Sequence, residues 1–225
     1  MEEWSYLRLG ATMTFCSTLI KAIKNPKLVL KILFYRLKPY HAVVITFKFK
    51  ETKNVRTPAT IYRVTNDNID DALIYEPPIN VDKFRQFLKQ GDWGYYAYID
   101  DQWVHRSWVT FGPQTITQWD RFANLKLSIN DAGIRWCETS LTGRGNNVYP
   151  AVLSQIARDI SKDFNNVYGF TTTDNIASFK GLLKAGFFPV KKTTVYSFFG
   201  IKYERMRQLN GVDYKLCSVK NNYGT

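Results

Sequence analysis

Apolar positions recur at helical spacing in four stretches of the chain and alternate or cluster as strands between them. Asn25-Pro26 reads as a helix start, with Pro at the first helical position. Beyond it Leu28, Val29, Ile32 and Leu33 alternate with basic residues at helical spacing. Val81, Phe84, Phe87 and Leu88 mark a second helix over 81–89, and Gly91 sits where a C-cap belongs. Val148, Val152, Leu153, Ile156, Ala157 and Ile160 form one face of a third. A fourth runs from 175 to 184, with Asp174 as N-cap candidate and Gly186 at its end.

Stretches 42–50 and 59–65 are rich in β-branched and aromatic residues and read as strands. Residues 93–99 and 103–111 read as an antiparallel hairpin turning at Asp100-Asp101-Gln102 and ending at Gly112-Pro113. Residues 114–127 show no clear period and read as irregular. A strand over 129–141, with a turn or bulge near 131–133, runs into the turn-rich loop 142–147. A short strand over 167–173 and closing strands over 190–199 and 201–206 complete the pattern. The order predicts an α/β (α+β) fold, a sheet with helices packed on its faces. The chain divides into a basic helical segment (1–40), one domain (41–207) and a tail (208–225).

Composition narrows the function. The 225 residues carry 31 Lys and Arg against 19 Asp and Glu, a net charge of +12, which calls for anionic company. Residues 21–38 hold six of the positive charges. That stretch reads either as a solvated basic face or as a helix on an anionic membrane surface. Cys16, Cys137 and Cys217 are odd in number and far apart, so they form neither a disulfide framework nor a CxxC pair. With only His41 and His105 beside them, no zinc pattern is present and no metal is expected. No run of about 18 apolar residues and no signal-peptide pattern occurs, so the expected location is cytoplasmic, peripheral at the inner face of the membrane if the basic helix binds lipid. No nucleic-acid-binding motif accompanies the charge, which leaves binding to nucleic acid as a weaker reading.

The loop Gly143-Arg144-Gly145-Asn146-Asn147 between a strand and a helix is an anion site by physics. Its backbone N–H groups and the positive end of the helix dipole converge, and Arg144 adds a full charge. It is not a nucleoside-triphosphate loop, because no Lys follows the glycines. It is not a dinucleotide fingerprint either, because Val148 stands at the third glycine.

Arg144-Gly145-Asn146-Asn147-Val148-Tyr149 resembles the R-x-x-G-x-G/A segment of GNAT-superfamily acyl-CoA-dependent N-acyltransferases. Thirty residues on, Asn175, Ser178, Lys184, Gly186 and Phe187 fall in register with that family's N-x-x-A-x-x-x-Y-x-K-x-G-F segment. The resemblance covers 93–206. It implies a central mixed, mostly antiparallel sheet with helices on both faces. It also implies acetyl-CoA as cosubstrate, held by Thr139, Ser140, Leu141, Arg144, Gly145, Asn146, Asn147, Val148, Tyr149, Asn175 and Phe179. Three positions depart from the family pattern. Asn147 replaces a Gly, and Asn tolerates positive φ. Tyr149 replaces a small residue, so its ring either crowds the pyrophosphate or stacks beside it. Leu182 replaces a Tyr that often serves as general acid.

The implied reaction moves an acetyl group from the thioester to a primary amine, with an amino sugar on a nucleotide or glycan precursor as the expected acceptor. That expectation places the protein in polysaccharide biosynthesis; a catalytically inactive coenzyme-binding module is the alternative. Candidates for handling the amine proton are His105, whose ordinary pKa suits the task, and Glu138, at the end of the strand before the loop. His105 reads equally as a hydrogen-bonded structural residue, on one face with Trp103, Ser107 and Val109. Glu138 reads equally as a surface residue paired with Arg135 or Arg106, and Cys137 as core packing.

Overall fold

The computed structural model describes residues 40–118, 123–198 and 201–209. The basic helix expected over 26–38, Cys16, Cys217 and the tail beyond 209 lie outside the described residues.

Among the described residues, ten strands and three α-helices follow in chain order. Strands β1 (Tyr40–Phe49) and β2 (Thr60–Arg63) precede a 3-10 helix (Ile69–Ile74) and helix α1 (Pro78–Lys89). The hairpin β3 (Trp93–Ile99) and β4 (Gln102–Phe111) comes next, then β5 (Gln114–Gln118), β6 (Ala123–Leu127) and β7 (Asp131–Thr139). Helix α2 (Val148–Ile160), β8 (Asn166–Thr172), α3 (Ile176–Lys184), β9 (Phe187–Phe198) and β10 (Ile201–Gln208) follow. Eight strands form one sheet in the order β10-β9-β1-β8-β7-β4-β3-β2. Among the pairings described, only β7–β8 is parallel.

The chain divides into two compact units, Ala42–Val195 with Glu204–Thr225, and Met1–His41 with Tyr196–Tyr203. In the smaller one, the described contacts are the rings of His41 and Tyr196, 4.8 Å apart, and of Tyr196 and Tyr203, 6.5 Å apart.

In the larger unit each face of the sheet has its own core. On one face α2 and α3 bury Val148, Val152, Leu153, Ile156, Phe179 and Leu182 against Ile45, Phe47, Tyr95 and Ile134. On the other, Phe84 and Phe87 of α1 and Ile69 of the 3-10 helix close over Tyr96, Trp103 and Trp108. Each such side chain removed from water contributes about 1.5–3 kcal/mol. The hairpin turns through Asp100 and Asp101, both at positive φ (50° and 60°), as a tight two-residue turn requires.

Four local expectations change. Residues 114–127 are not wholly irregular: β5 and β6 pair antiparallel, Gln114↔Leu127 to Gln118↔Ala123. Their apolar content is low, but Ile116, Leu125 and Leu127 are buried beside Tyr168 and Phe170. Near 131–133 the turn is found, with Asp131 N donating to Ser128 O at 3.0 Å, but the bulge is not. There Asp131, Ala132 and Gly133 pair with Asn166, Val167 and Tyr168, and Asp131 accepts from Asn166 Nδ2. The bulge lies at Trp136–Cys137, two residues opposite the single Ser107, with Trp136 at φ 52°. In β4, Val104 is an extra residue between Trp103, which faces Tyr98, and His105, which faces Ala97. That irregularity puts Trp103 in the α1-side core, away from the face of His105. The N-cap of α3 is Asn175, whose Oδ1 accepts from Ser178 N at 3.0 Å, not Asp174.

Gly186 ends α3 at φ 94°, and a Cβ there would lie 1.9 Å from the Glu51 carbonyl. Its own carbonyl accepts from Lys50 N at 3.1 Å, so the chain leaving β1 crosses closely at this point.

Candidate functional site

The site grows from the way the parallel pair parts. β7 and β8 are in register for three residues only, Asp131 to Gly133 against Asn166 to Tyr168. Beyond them β8 pairs with β1 on its far side, Tyr168↔Lys48 to Thr172↔Val44. β7 keeps β4 on the opposite side, as far as Thr139↔His105. A gap therefore opens between the C-terminal ends of two neighbouring strands. Ser140 N donates to Val104 O at 2.9 Å. By strand alternation Thr139 turns its own N–H and C=O toward the gap. Its carbonyl there accepts from Arg144 Nε at 3.3 Å.

The loop follows at the mouth of the gap. Gly143 N donates to Ser140 O at 3.1 Å and Arg144 N to Leu141 O at 3.4 Å, winding the chain into successive turns. Gly145 (φ 85°) and Asn147 (φ 56°) then take left-handed conformations. Asn147 is the N-cap of α2 and its side chain does not cap the helix. The backbone N–H groups of Gly145, Asn146, Asn147, Val148 and Tyr149 have no hydrogen-bond partner among the described residues. Unpartnered N–H groups at a helix N-terminus make this loop a candidate anion receptor. The Asn147 side chain braces the loop instead: Oδ1 accepts from Lys184 Nζ at 2.6 Å, and Nδ2 donates to Arg56 O at 3.4 Å. Thr57 Oγ1 donates to Asn146 O at 2.8 Å, so residues 56–57 tie the loop from outside.

Tyr149 neither crowds this receptor nor stacks in it. Its ring turns inward, 5.9 Å from His105, and its hydroxyl pairs with Ser178 Oγ at 3.0 Å. Gly181 makes room, since a Cβ there would lie 2.5 Å from the ring. The tyrosine thus fills the joint of α2 and α3 while its backbone N–H stays at the loop. Burial raises its phenol pKa well above the ordinary range.

His105 is not placed to act as a base. The residue is fully buried, with Nδ1 2.7 Å from Thr139 Oγ1 and Nε2 2.8 Å from Ser107 Oγ. Burial, and secondarily the charge of Arg106, lower its pKa from 6.5 to about 3. Both nitrogens are spent and the ring is neutral. Its task is to hold Thr139 at the edge of the gap. Cys137 is partly buried against the α2-side core, and burial pushes its thiol up to about 11.

Glu138 lies on the other face of β7 with a half-exposed side chain. Its Oε2 accepts from Arg106 Nη2 at 2.9 Å, and Oε1 is left free among the described residues. Phe179 is in the core, edge-on to Phe47 at 5.1 Å, rather than on a binding surface. Leu182 is also buried, against Gly169. Asn175 is exposed but its Oδ1 caps α3. Leu141 is exposed at the loop's start, beside Thr142, whose hydroxyl lies 3.3 Å from Tyr75 Oη.

Arg106 pairs with Glu138 as one reading expected, but sequence reasoning missed its bonds to Glu76 and to the Trp136 carbonyl. It also missed an open cavity of about 530 Å³ bordered by Tyr62, Asp71, Tyr98, Asp100 and Asp101. Asp71 lies in the 3-10 helix and Asp100 and Asp101 in the hairpin turn, so no local pattern joins them; the Tyr98 hydroxyl of β3, which donates to Asp71 Oδ2 at 2.7 Å, links the two.

No protein-family model and no curated protein sequence matches the chain. Solved structures do. A GNAT-family acetyltransferase from Colwellia psychrerythraea superposes over 84% of this chain and 75% of its own, at 12% identity and a TM-score of 0.55. A GNAT-family structure from Novosphingobium aromaticivorans covers 76% and 66%, at 12% identity and a TM-score of 0.50. The glucosamine N-acetyltransferase region of a fungal multi-domain GH3 β-N-acetylglucosaminidase covers 77% of this chain and 23% of that one, at 8% identity and a TM-score of 0.52. At these identities the likeness is one of fold, and the expected sheet with helices on both faces is the one found.

Proposed function

We propose that this chain, built on the GNAT fold, is an acyl-CoA-dependent N-acyltransferase that moves acetyl from acetyl-CoA to a primary amine. The observation that carries the reading is the parted pair β7–β8 with an uncapped, N–H-rich helix start at its mouth. A pyrophosphate fits the five unpartnered N–H groups, with Arg144 as its charge partner. The amide-bearing arm of the coenzyme fits the open edge of β7 as an added strand would. The amine nitrogen attacks the thioester carbonyl, the C–N bond forms and the C–S bond breaks. The amine releases one proton and the thiolate takes one up. The Thr139 N–H, turned into the gap, is the donor assigned to the developing oxyanion. Glu138, with one oxygen free, is the carboxylate assigned to the amine. Leu182 lies in the core where the resemblance puts a phenol, so the thiolate takes its proton from water.

The acceptor proposed is an amino sugar. The charge of +12 favours one carried on a nucleotide or glycan phosphate, whereas the aspartates beside Tyr62 and Tyr98 favour one with further ammonium groups. Among the described residues no helix is long and apolar enough to cross a membrane. Residues 21–38 are proposed to hold the protein on anionic lipid at the cytoplasmic face, tested by salt-sensitive sedimentation with acidic vesicles.

Calorimetry with coenzyme A and thiol release over a panel of amines, anionic and cationic amino sugars included, test the main reading. No binding at millimolar coenzyme refutes it. Coenzyme binding without thiol release across the panel favours an inactive binding module, the reading that the buried Leu182 supports.

A further inference from the structure

One buried charge is unexplained by packing. Arg106 is 4% exposed in the α1-side core, where its guanidinium lies 5.2 Å from the Phe84 ring and 5.4 Å from that of Trp136. Its fork is divided among three partners, Glu76 before α1 and Trp136 and Glu138 of β7. Nε donates to Glu76 Oε1, Nη1 to the Trp136 carbonyl at 2.6 Å, and Nη2 to Glu138 Oε2 at 2.9 Å. Glu76 is 8% exposed and is itself fixed by Asn80 Nδ2 of α1, 2.7 Å from Oε2. A continuous chain of hydrogen bonds therefore runs from α1 through Glu76 and Arg106 to the bulge of β7. It ends on the residue whose φ of 52° is a conformation that bulky side chains avoid, and on the carboxylate two residues later.

We propose that Arg106 is a positioning residue, which holds the Trp136–Glu138 bulge in the one shape that presents the free oxygen of Glu138 to the acceptor amine. The inference rests on the N-acyltransferase reading. Desolvating a guanidinium is costly, and apolar side chains would fill this layer at less expense. What an apolar residue lacks is a planar fork that reaches a carbonyl and two carboxylates at once. Lysine, a single point charge, replaces at most part of it. The bulge is also where β7 gains its extra residue against Ser107, so its shape sets the direction in which the Glu138 side chain leaves the strand.

The test is a cycle of variants in the full chain. Arg106→Lys keeps the buried charge. Arg106→Met with Glu76→Gln removes both buried charges together, so no lone carboxylate is left to unfold the core. The expected result is an unchanged coenzyme dissociation constant, within about threefold, and a fall in kcat/KM for the amine of about 10²-fold. Adding Glu138→Gln to the Arg106 variants should cost less than about threefold more, because the two residues act as one unit. Losses that multiply, coenzyme affinity that falls in step with turnover, or turnover within about threefold of wild type each overturn the proposal. Should the Met/Gln variant not fold, Arg106→Lys is read by the same criteria. A wild type without thiol release overturns the acyltransferase reading and this one together. A wild type with it, beside fully active Arg106 variants, overturns this one alone.

Discussion

His105 titrates at about 6.5 in the unfolded chain and at about 3 in the folded one, because burial and then Arg106 disfavour the imidazolium. The unfolded state therefore binds the extra proton between those values, and stability rises with pH across that window. The contribution is fully present above about pH 6.5 and is lost progressively as pH falls toward 3. Integrating from pH 7 to pH 5 with these two values gives a loss of about 2 kcal/mol, a sizeable part of an ordinary domain's stability. Urea unfolding of wild type and His105→Gln at both pH values isolates the term. The variant loses some stability at pH 7 from imperfect bonds to Thr139 and Ser107, but it has nothing to protonate at this site. The carboxylates contribute alike to both proteins, so the difference in their pH dependence should be about 2 kcal/mol. Equal slopes for the two proteins would refute the account of a neutral, doubly bonded imidazole. The same variant should keep the acidic limb of the pH–rate profile, since the inflection belongs to groups other than His105.

Arg144→Ala should weaken coenzyme binding by about 1.5–3 kcal/mol by calorimetry, with a smaller effect on turnover at saturation. Gly181→Ala should destabilise the fold by about 1–3 kcal/mol in thermal unfolding, because its Cβ meets the Tyr149 ring at 2.5 Å, and the companion Tyr149→Leu should relieve part of that loss. Asn175→Ala should cost about 1 kcal/mol of stability with coenzyme affinity unchanged, as expected of a cap.

Much of this architecture is written locally. The hairpin turn at Asp100-Asp101, the glycine ends of α1 and α3 and the left-handed Asn147 follow from residue types whose backbone preferences are strong. The turns of loop 142–147 are legible for the same reason. What escaped is set by partners remote in sequence. A bulge at Trp136 rather than near Asp131 depends on Arg106, 30 residues earlier, holding its carbonyl. The ribbon β5–β6 is stabilised by burial of Ile116, Leu125 and Leu127 next to Tyr168 and Phe170, which its polar-rich sequence does not announce. Mid-strand placement in the sequence puts His105 on a face of β4 but is silent on Thr139 and Ser107 closing over both nitrogens. For Tyr149 the sequence offers crowding or stacking at the loop, because nothing nearby in sequence shows that Gly181 and Ser178 make a place for its ring.

The position of β1 in the sheet has a consequence for biosynthesis. Val44 pairs with Thr172, and β1 also borders β9, so neither neighbour exists until about 130 further residues have been made. At a synthesis rate of about 5–20 residues per second, the nascent strand waits roughly 6–26 s with both edges bare. Its centre, Ala-Val-Val-Ile-Thr-Phe, is apolar and β-branched, the composition that pairs with other chains when left open. The pairing also closes a long loop late, which makes folding slow for a domain of this size. A pulse-chase of ribosome-bound chains halted before and after residue 172 should show protection of the β1 segment from protease only in the longer chains.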